Sequence, residues 1–420
     1  MTAKIQEIFD SFDKDSLFRN KALLQVNHIP EEIPHRDEQI KQIASILAPV
    51  LRGEKTSNLF LYGKTGTGKT LSVLFVKDEL MKRSDKNNGP KLRIEYLNCK
   101  LKKVSDTEYR ILAELIKKLG GEVPATGLPT EAVYSKFIEI IDKEKQLLVL
   151  ILDEIDQTVK KISSDFLYNL VRLNSELSKT QICLVGISND LTFLEEIDSR
   201  VRSSLSEEEI VFPPYNALQL QDILSKRAEH AFKEGIVQQG VIAKCAAYAA
   251  REHGDARRAL DLLRIAGELA EREGSKKILL KHIDEANDKL ERDKILDVIK
   301  TEPKQFQLVL YSIIKLYENK EKKPLGQKTL SERERGGSDL PIFTGDVYSF
   351  YQNFCQNNKT EILTQRRVSD IIQEFDMLGI INVRVISKGR GGRMREIKLV
   401  ISPPIVKKAK EIIENSLNYN

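Results

Sequence analysis

Cysteine and histidine are scarce in this sequence, and their spacing excludes the sites that these residues usually build. The 420 residues include four cysteines and five histidines, and no two cysteines form a CxxC pair. Zinc sites and disulfide frameworks need such residues close together at regular spacings. We therefore expect reduced, mostly buried thiols, a reducing compartment and no structural metal. The cysteines are Cys99, Cys183, Cys245 and Cys355.

Long apolar runs are also missing. No stretch approaches the roughly 18 consecutive apolar residues that a membrane-spanning helix needs. The first 15 residues mix Asp and Lys with apolar positions and lack the hydrophobic region of a signal peptide. We expect a cytoplasmic protein with no membrane partner.

Charge of one sign is in small excess, and the excess is confined to one end of the chain. The formal net charge is +5. Residues 301–420 carry 20 basic and 14 acidic side chains, whereas the first 300 residues carry 47 and 48. A basic excess concentrated in one segment favours a nucleic-acid-binding domain there.

Three segments differ in pattern, as expected for a chain too long for one core. Residues 1–215 alternate short apolar runs with amphipathic stretches, which predicts an α/β domain with a parallel sheet covered by helices. Pro213-Pro214 ends that pattern. Residues 216–295 read as a helical bundle, and residues 296–420 as a separate C-terminal domain.

Five short runs in the first segment predict strands. The third is apolar at every position, so both its faces should be buried, and we expect it to be the central strand. The runs are Asn58–Tyr62, Leu92–Asn98, Leu147–Leu152, Gln181–Ile187 and Glu208–Phe212.

A glycine-rich string follows the first predicted strand and opens an apolar helical pattern. It fits GxxxxGK[ST], in which backbone N–H groups surround phosphate oxygens and the next helix adds positive potential. In that pattern Lys69 reaches the β- and γ-phosphates, and the Thr70 hydroxyl binds Mg²⁺. The alternative, a glycine-rich hairpin tip, does not explain the strand before it and the helix after it. The string is Gly63, Lys64, Thr65, Gly66, Thr67, Gly68, Lys69 and Thr70.

Polar residues end the third and fourth predicted strands. Asp153 and Glu154 follow the third, where a P-loop ATPase needs one carboxylate for the Mg²⁺ shell and a second to polarise the attacking water. We assign these roles to Asp153 and Glu154 in that order. Asn189 closes the fourth strand and would orient the water or touch the γ-phosphate. A solvated strand end and a turn-forming Asn-Asp pair are the alternatives.

Together these motifs resemble an AAA+ ATPase, and the whole chain resembles the archaeal replication initiators of the origin-recognition/helicase-loader (Orc1/Cdc6-type) family. Three further segments carry the likeness. They are residues 33–39 (IPHRDEQ) before the P-loop, residues 199–203 (SRVRS), and residues 254–260 (GDARRAL), the most specific string. The resemblance implies an AAA+ base, a helical lid and a C-terminal winged helix, with ATP/ADP and Mg²⁺ as cofactors.

The resemblance also implies roles for individual residues. Gly254-Asp255 reads as a helix stop and an N-cap, which puts Arg257 in a first helical turn. As the family's sensor 2, Arg257 would contact the γ-phosphate from the lid. Arg200, favoured over Arg202, would be an arginine finger supplied to a neighbouring subunit. His35 and Arg36 would lie beside the adenine.

The C-terminal segment reads as three helices and a basic hairpin, the pattern of a winged helix-turn-helix. The third helix, 364–379, carries an apolar stripe at Val368, Ile371, Ile372, Phe375 and Leu378. Its outer face should enter the major groove of DNA, because Arg and Gln read guanine and adenine edges. The alternatives are that Arg366 or Arg367 only contacts phosphate, which positions without specifying, and that the helix is merely basic and solvated. That face carries Arg366, Arg367, Ser369 and Gln373.

The hairpin between residues 381 and 401 should form the wing. Its basic tip suits a minor groove, where arginine is attracted electrostatically. A hairpin that only improves solubility is the alternative. The basic side chains are Arg384, Lys388, Arg390, Arg393, Arg395 and Lys398.

The resulting hypothesis is an ATP-switched initiator that binds origin double-stranded DNA and recruits or loads the replicative helicase. Hydrolysis would be a slow timing step, and paralogous initiator subunits are possible partners. One alternative is a clamp-loader or remodelling AAA+ subunit, which requires no winged helix. The other is a transcription regulator that only senses ATP, which requires no hydrolytic residues.

Overall fold

The computed structural model describes residues 16–25, 28, 30, 32–85, 91–100, 107–124, 127–162, 165–193, 195, 197–205, 207–321, 342–387 and 393–417. The chain divides into two compact units, Met1–Ala286 and Asn287–Asn420. Within the described ranges, no helix is both long and apolar enough to cross a bilayer. All four cysteines are buried free thiols, as predicted.

The first unit contains a five-stranded parallel sheet, which confirms the predicted fold class. Its strands follow the spatial order β2-β3-β4-β1-β5. The third strand, β3, is buried along its whole length but is not the central one. The middle position belongs to β4, so that prediction was wrong. The strands are β1 (Asn58–Tyr62), β2 (Lys91–Asn98), β3 (Gln146–Asp153), β4 (Thr180–Ser188) and β5 (Glu207–Val211).

Two hydrophobic cores cover the two faces of this sheet, because strand side chains alternate between faces. On β3, Leu148 and Leu150 belong to one core, whereas Val149 and Ile151 belong to the other. Two helices, α1 (Asp37–Leu47) and α2 (Lys69–Ser84), cover one face. Five cover the other: α3 (Glu108–Lys118), α4 (Thr130–Ile141), α5 (Ile155–Lys161), α6 (Asp165–Arg172) and α7 (Ser199–Leu205).

A helical subdomain follows Pro213-Pro214 in the same unit. It contains α8 (Ala217–Ala231), α9 (Val241–Arg251) and α10 (Ala256–Arg272), and α11 (Leu280–Thr301) begins in it. The segment 16–25 packs on this subdomain. The Phe18 and Phe232 rings lie 4.8 Å apart, and Lys21 Nζ is 2.9 Å from Glu268 Oε1.

The second unit has the helices and hairpin that the sequence predicts, with two additional elements. The helices are α12 (Lys304–Glu321), α13 (Thr344–Asn357), α14 (Gln365–Met377) and α15 (Pro403–Leu417). The strands β6 (Ile342–Phe343), β7 (Ile381–Ser387) and β8 (Arg393–Leu399) pair in the order β6-β8-β7. The short strand β6 and the helix α15 were not predicted.

The apolar stripe of α14 is buried, with one exception. Val368, Ile371, Ile372 and Phe375 lie in the core of this unit. Leu378, predicted to belong to the stripe, is 43% exposed. The helix ends at Met377, so Leu378 is its C-cap residue, and the chain turns away at Gly379, whose φ angle is +69°.

Gly267 should be required by packing and not by backbone conformation. A Cβ built on Gly267 in α10 would lie 2.6 Å from the ring of Phe18 and 3.0 Å from that of Phe232. Gly267→Ala should therefore destabilise this helix by about 1–3 kcal/mol through overpacking, despite the better helix propensity of alanine. Gly345 in α13 is the control, because a Cβ there meets nothing within 4 Å. Amide hydrogen exchange in α10 and α13 measures the loss of protection in each variant relative to the unsubstituted protein. An equal loss in the two variants would contradict the prediction.

Candidate nucleotide site and nucleic-acid interface

The glycine-rich string forms the loop between β1 and α2, at the carboxyl edge of the sheet. Gly66 and Gly68 have φ angles of +73° and +93°, in the region that favours glycine. Both are also enclosed. A Cβ on Gly66 would meet the Asp255 carboxylate, and one on Gly68 would lie 2.9 Å from the Tyr215 hydroxyl. The loop is therefore closely approached by residues that follow the sheet in the chain.

Lys69, the first residue of α2, points its ammonium group back into the loop. Its Nζ donates to the carbonyl oxygens of Gly63 (2.7 Å) and Lys64 (2.9 Å) and to Asn189 Oδ1 (3.0 Å). Burial lowers the pKa of Lys69 to about 8; the nearby Asp153 acts to raise it, and Arg257 acts to lower it further. The site thus holds a desolvated ammonium, ready to pair with an anion.

Thr70 and Asp153, the two expected Mg²⁺ ligands, lie together. The Thr70 hydroxyl donates to Asp153 Oδ2 at 2.9 Å, and Asp153 is 5% exposed. Tyr96, on the neighbouring strand β2, donates its hydroxyl to the same oxygen at 2.8 Å. Burial raises the pKa of Asp153, while these two hydrogen bonds act to lower it. Hard oxygen ligands converging at a P-loop fit Mg²⁺.

Glu154 is held in an unusual backbone conformation beside this carboxylate. Its φ angle is +54°, although it is not glycine, and its N–H donates to Asp153 Oδ1 at 2.9 Å. Such left-handed residues cluster at functional sites. Lys100 Nζ, just after β2, lies 3.2 Å from Glu154 Oε2. The residue expected to act as general base is therefore restrained by its own backbone and by a lysine.

Asn189 enters the site because β4 lies between β1 and β3. That order carries it to Lys69, as the contact at 3.0 Å shows. Its backbone N–H also donates to Asp156 Oδ1 at 3.4 Å, and Asp156 is 2% exposed. Asp156, Tyr96 and Lys100 are site residues that the sequence analysis did not assign to the site. The register of β2 against β3, which brings Tyr96 and Lys100 to the acids, is visible only in the folded sheet.

The segment 254–260 reaches the P-loop from the helical subdomain. Asp255 caps α10 by accepting from the backbone N–H groups of Arg257 and Arg258. The Ala256 N–H donates to the Gly66 carbonyl at 3.3 Å. Arg257 is exposed and its charge is felt by Lys69, whereas Arg258 forms an ion pair with Glu252 at 2.7 Å. The structure thus brings the expected sensor segment to the loop.

Arg36 is buried and bound to backbone carbonyls. Its guanidinium donates to Thr67 O (2.8 Å), Pro213 O (2.6 Å) and His35 O (3.2 Å), and it lies 3.8 Å from the centre of the Tyr215 ring. It therefore joins the P-loop to the start of the helical subdomain. Contact of Arg36 with adenine stays a prediction. His35 Nε2 lies 2.9 Å from Asp222 Oδ2 of α8, and its contact with adenine likewise stays a prediction.

Arg200 lies at the surface, in contact with its own segment. It makes two hydrogen bonds to Asp198, of 3.1 and 2.9 Å, and its side chain is 84% exposed. Among the contacts of the described residues, none joins Arg200 to Lys69, Asp153 or Glu154. Arg202 lies two residues further along the same helix, α7.

The predicted DNA-reading face of α14 lies on the surface of the second unit. Arg366 and Gln373 are exposed, and Ser369 is half-buried. Arg367 is half-exposed, 3.7 Å from Glu374 and 5.6 Å from the centre of the Phe306 ring. Arg366 is therefore the freer of the two arginines for a ligand.

The described part of the wing carries part of the predicted basic set. Arg384 and Arg395 are exposed on β7 and β8, and Lys398 is half-buried. Arg384 is opposite Glu396 in the register of the hairpin, and Arg395 is opposite Val385. Lys388, Arg390 and the side chain of Arg393 lie outside the described residues.

Three family models match successive parts of the chain. Residues 52–194 match an AAA domain, residues 221–288 match the Cdc6 AAA+ ATPase-type lid domain, and residues 327–409 match the CDC6 C-terminal winged helix domain. The predicted likeness to AAA+ initiators is confirmed.

Relatives match over nearly the whole chain. An ORC1-type DNA replication protein of Thermococcus kodakarensis is 50% identical over 408 residues, which cover 96% of this chain and 93% of that protein. One of Pyrococcus abyssi is 51% identical over 391 residues, 92% and 88% of the two chains. The solved structure of the Aeropyrum pernix ORC1 protein in complex with DNA has 40% identity and a TM-score of 0.77, and covers 96% and 98%.

Nucleotide affinity should fall as the pH rises above 8. Lys69 is charged below about pH 8 and neutral above it. Because phosphate binds the charged form, binding above this pH requires proton uptake, and the Kd for ADP should rise by up to about tenfold per pH unit. Titration calorimetry at pH 7–9.5, in buffers of different ionisation enthalpy, measures both the affinity for ADP and the number of protons taken up on binding. An affinity that stays constant over this range would contradict it.

Proposed function

The chain belongs to the family of ORC1-type DNA replication proteins, and from that premise we propose that it is an ATP-switched replication initiator that binds origin duplex DNA. The observation that carries the proposal is the combination, in one chain, of a P-loop site with its acidic partners and a winged helix with an exposed basic helix face. A clamp loader needs no such winged helix, and a regulator that only senses ATP needs no acidic pair at a P-loop.

Nucleotide would bind where Lys69 already holds a desolvated positive charge. The phosphates would replace the carbonyl and amide oxygens that Lys69 now contacts, and the loop N–H groups would bind the phosphate oxygens. Thr70 and Asp153 would hold Mg²⁺, which when bound would neutralise phosphate charge. Relatives solved as ADP and ADPNP complexes have the same fold.

Hydrolysis would depend on Glu154 as general base for the attacking water. Lys100 would restrain this carboxylate, and Asn189 would position the γ-phosphate next to Lys69. Arg257 would reach the γ-phosphate from the N-terminal turn of α10. Arg200, exposed and away from these groups, would serve a neighbouring subunit, so that an isolated molecule would turn over slowly.

DNA would be bound by α14 and the wing of the second unit. The relative solved in complex with DNA supports this proposal. Recruitment or loading of the replicative helicase, and pairing with a paralogous initiator subunit, complete the proposed role. ATP would then act as a switch because the P-loop contacts α10 directly, so that the presence of a γ-phosphate can change the position of the lid.

Glu154→Gln should separate nucleotide binding from hydrolysis. The amide keeps the size of the side chain but cannot accept the proton of the water, so turnover should fall by about 10²–10⁴-fold. ATP affinity should stay within about twofold, because binding energy comes mainly from the loop and Lys69. Glu54→Gln, an exposed glutamate of the same unit, is the control. Turnover by Glu154→Gln at the rate of the control would exclude Glu154 as the base.

Selection of duplexes from a random library, with the full-length protein and ATP, tests the initiator function. An enriched motif is expected, and Arg366→Ala should weaken its binding and reduce the salt dependence by about one phosphate equivalent or, if Arg366 reads a base, cost about 1–3 kcal/mol. Lys408→Ala on α15 is the matched control, a basic exposed residue of the same unit. Absence of enrichment, or preference for primer–template junctions, would favour a loader.

A further inference from the structure

We propose that Tyr96 is a positioning residue that sets the Asp153 carboxylate for its divalent cation. This inference rests on the proposed nucleotide function and adds a specific residue to it. Tyr96 lies outside every motif that the sequence analysis assigned. Its assignment comes from its contact with Asp153 alone.

The Asp153 carboxylate is oriented by three donors from three parts of the chain. Oδ2 accepts from the hydroxyls of Thr70 (2.9 Å) and Tyr96 (2.8 Å), and Oδ1 accepts from the Glu154 N–H (2.9 Å). Thr70 belongs to α2 and Tyr96 to β2. Because Thr70 is itself an expected cation ligand, Tyr96 is the side-chain donor that can keep its bond to Asp153 when Thr70 turns to the cation.

The fold gives Tyr96 little freedom to do anything else. Tyr96 is opposite Ile151 in the β2–β3 register, whereas Asn98 is opposite Asp153. The phenol therefore reaches two residues further along β3 to contact the acid. Its half-buried ring packs against the apolar core on the α2 face. A rigid ring on β2, packed against the core beside β3, fixes the hydroxyl more tightly than a flexible side chain would.

A positioning role predicts a defect in cation binding and not in nucleotide binding as such. Outer-shell partners of metal ligands typically contribute about 10–100-fold to metal affinity. Without the Tyr96 hydroxyl, Asp153 could rotate away from the orientation shared with Thr70. The loop N–H groups and Lys69 would still bind the phosphates, because the hydrogen bonds of Lys69 go to Gly63, Lys64 and Asn189 and not to Asp153.

Tyr96→Phe in the full-length protein tests the inference, because it removes one oxygen and keeps the ring. ADP binding is measured by calorimetry in EDTA and across a series of Mg²⁺ concentrations. In EDTA the Kd for ADP should stay within about twofold of that of the unsubstituted protein. The Mg²⁺ concentration that gives half of the Mg²⁺-dependent change in ADP affinity should rise about tenfold or more. ATP turnover should be low at limiting Mg²⁺ and recover to within about threefold of the unsubstituted protein at saturating Mg²⁺.

Tyr134→Phe is the matched control. Tyr134 is also partly buried in the first unit and donates its hydroxyl to a carboxylate, that of Glu108, which belongs to α3. This variant should have the Mg²⁺ dependence of the unsubstituted protein. A shift of equal size in both variants would mean a general loss of stability and would overturn the positioning role.

The outcomes separate this inference from the function on which it rests. If the unsubstituted protein binds ADP more tightly with Mg²⁺ and Tyr96→Phe has the same Mg²⁺ dependence, Tyr96 has no positioning role and the proposed function stands. Turnover that stays low in Tyr96→Phe at every Mg²⁺ concentration would also overturn it. If the unsubstituted protein binds no ADP, or binds it without response to Mg²⁺, the proposed site fails and the inference fails with it.

Discussion

The hydrogen bonds of the buried Lys69 ammonium are the interactions on which the arrangement of the first unit's site depends. An unpaired charge in a protein interior is costly, so everything that stabilises this one must be brought to it. The P-loop supplies two carbonyl oxygens, and Asn189 follows β4, while the end of β3 and the start of α5 supply the negative charges of Asp153 and Asp156. The strand order β3-β4-β1 is what allows these groups to meet at one edge of the sheet. A bound phosphate would satisfy the same charge.

The loop around Lys69 also connects the sheet to the helical subdomain. The Arg36 guanidinium donates to the Thr67 and Pro213 carbonyls, and the Ala256 N–H donates to the Gly66 carbonyl. The P-loop therefore contacts the segment before β1 and the start of α10. Asp255 occupies the space where any side chain at Gly66 would lie. Under the proposed function, a change in the bound phosphates would move packed elements, because close-packed interfaces shift between discrete arrangements and do not deform continuously.

The second unit solves a different problem. Its basic helix face stays exposed because the opposite, apolar stripe of α14 is buried against α12, α13 and the hairpin. Arg366 is left at the surface, whereas Arg367 is partly engaged by Glu374 and Phe306. Phosphate binding by such side chains is long-range and tolerant of geometry, which suits an exposed helix face.

The elements that local patterns specify could be predicted from the sequence. The P-loop string, the acidic pair after an apolar strand, the GDARRAL segment and the period of α14 each depend on neighbours a few residues apart, and the strands they predict form within one or two residues of the expected bounds. The tertiary structure alone decided that β4 and not β3 is central, that Leu378 is exposed, and that Tyr96, Lys100 and Arg36 contact Asp153, Glu154 and the P-loop backbone. These contacts join residues 31 to 57 positions apart. They arise from strand order, register and subdomain packing, which hydrophobic periodicity does not encode.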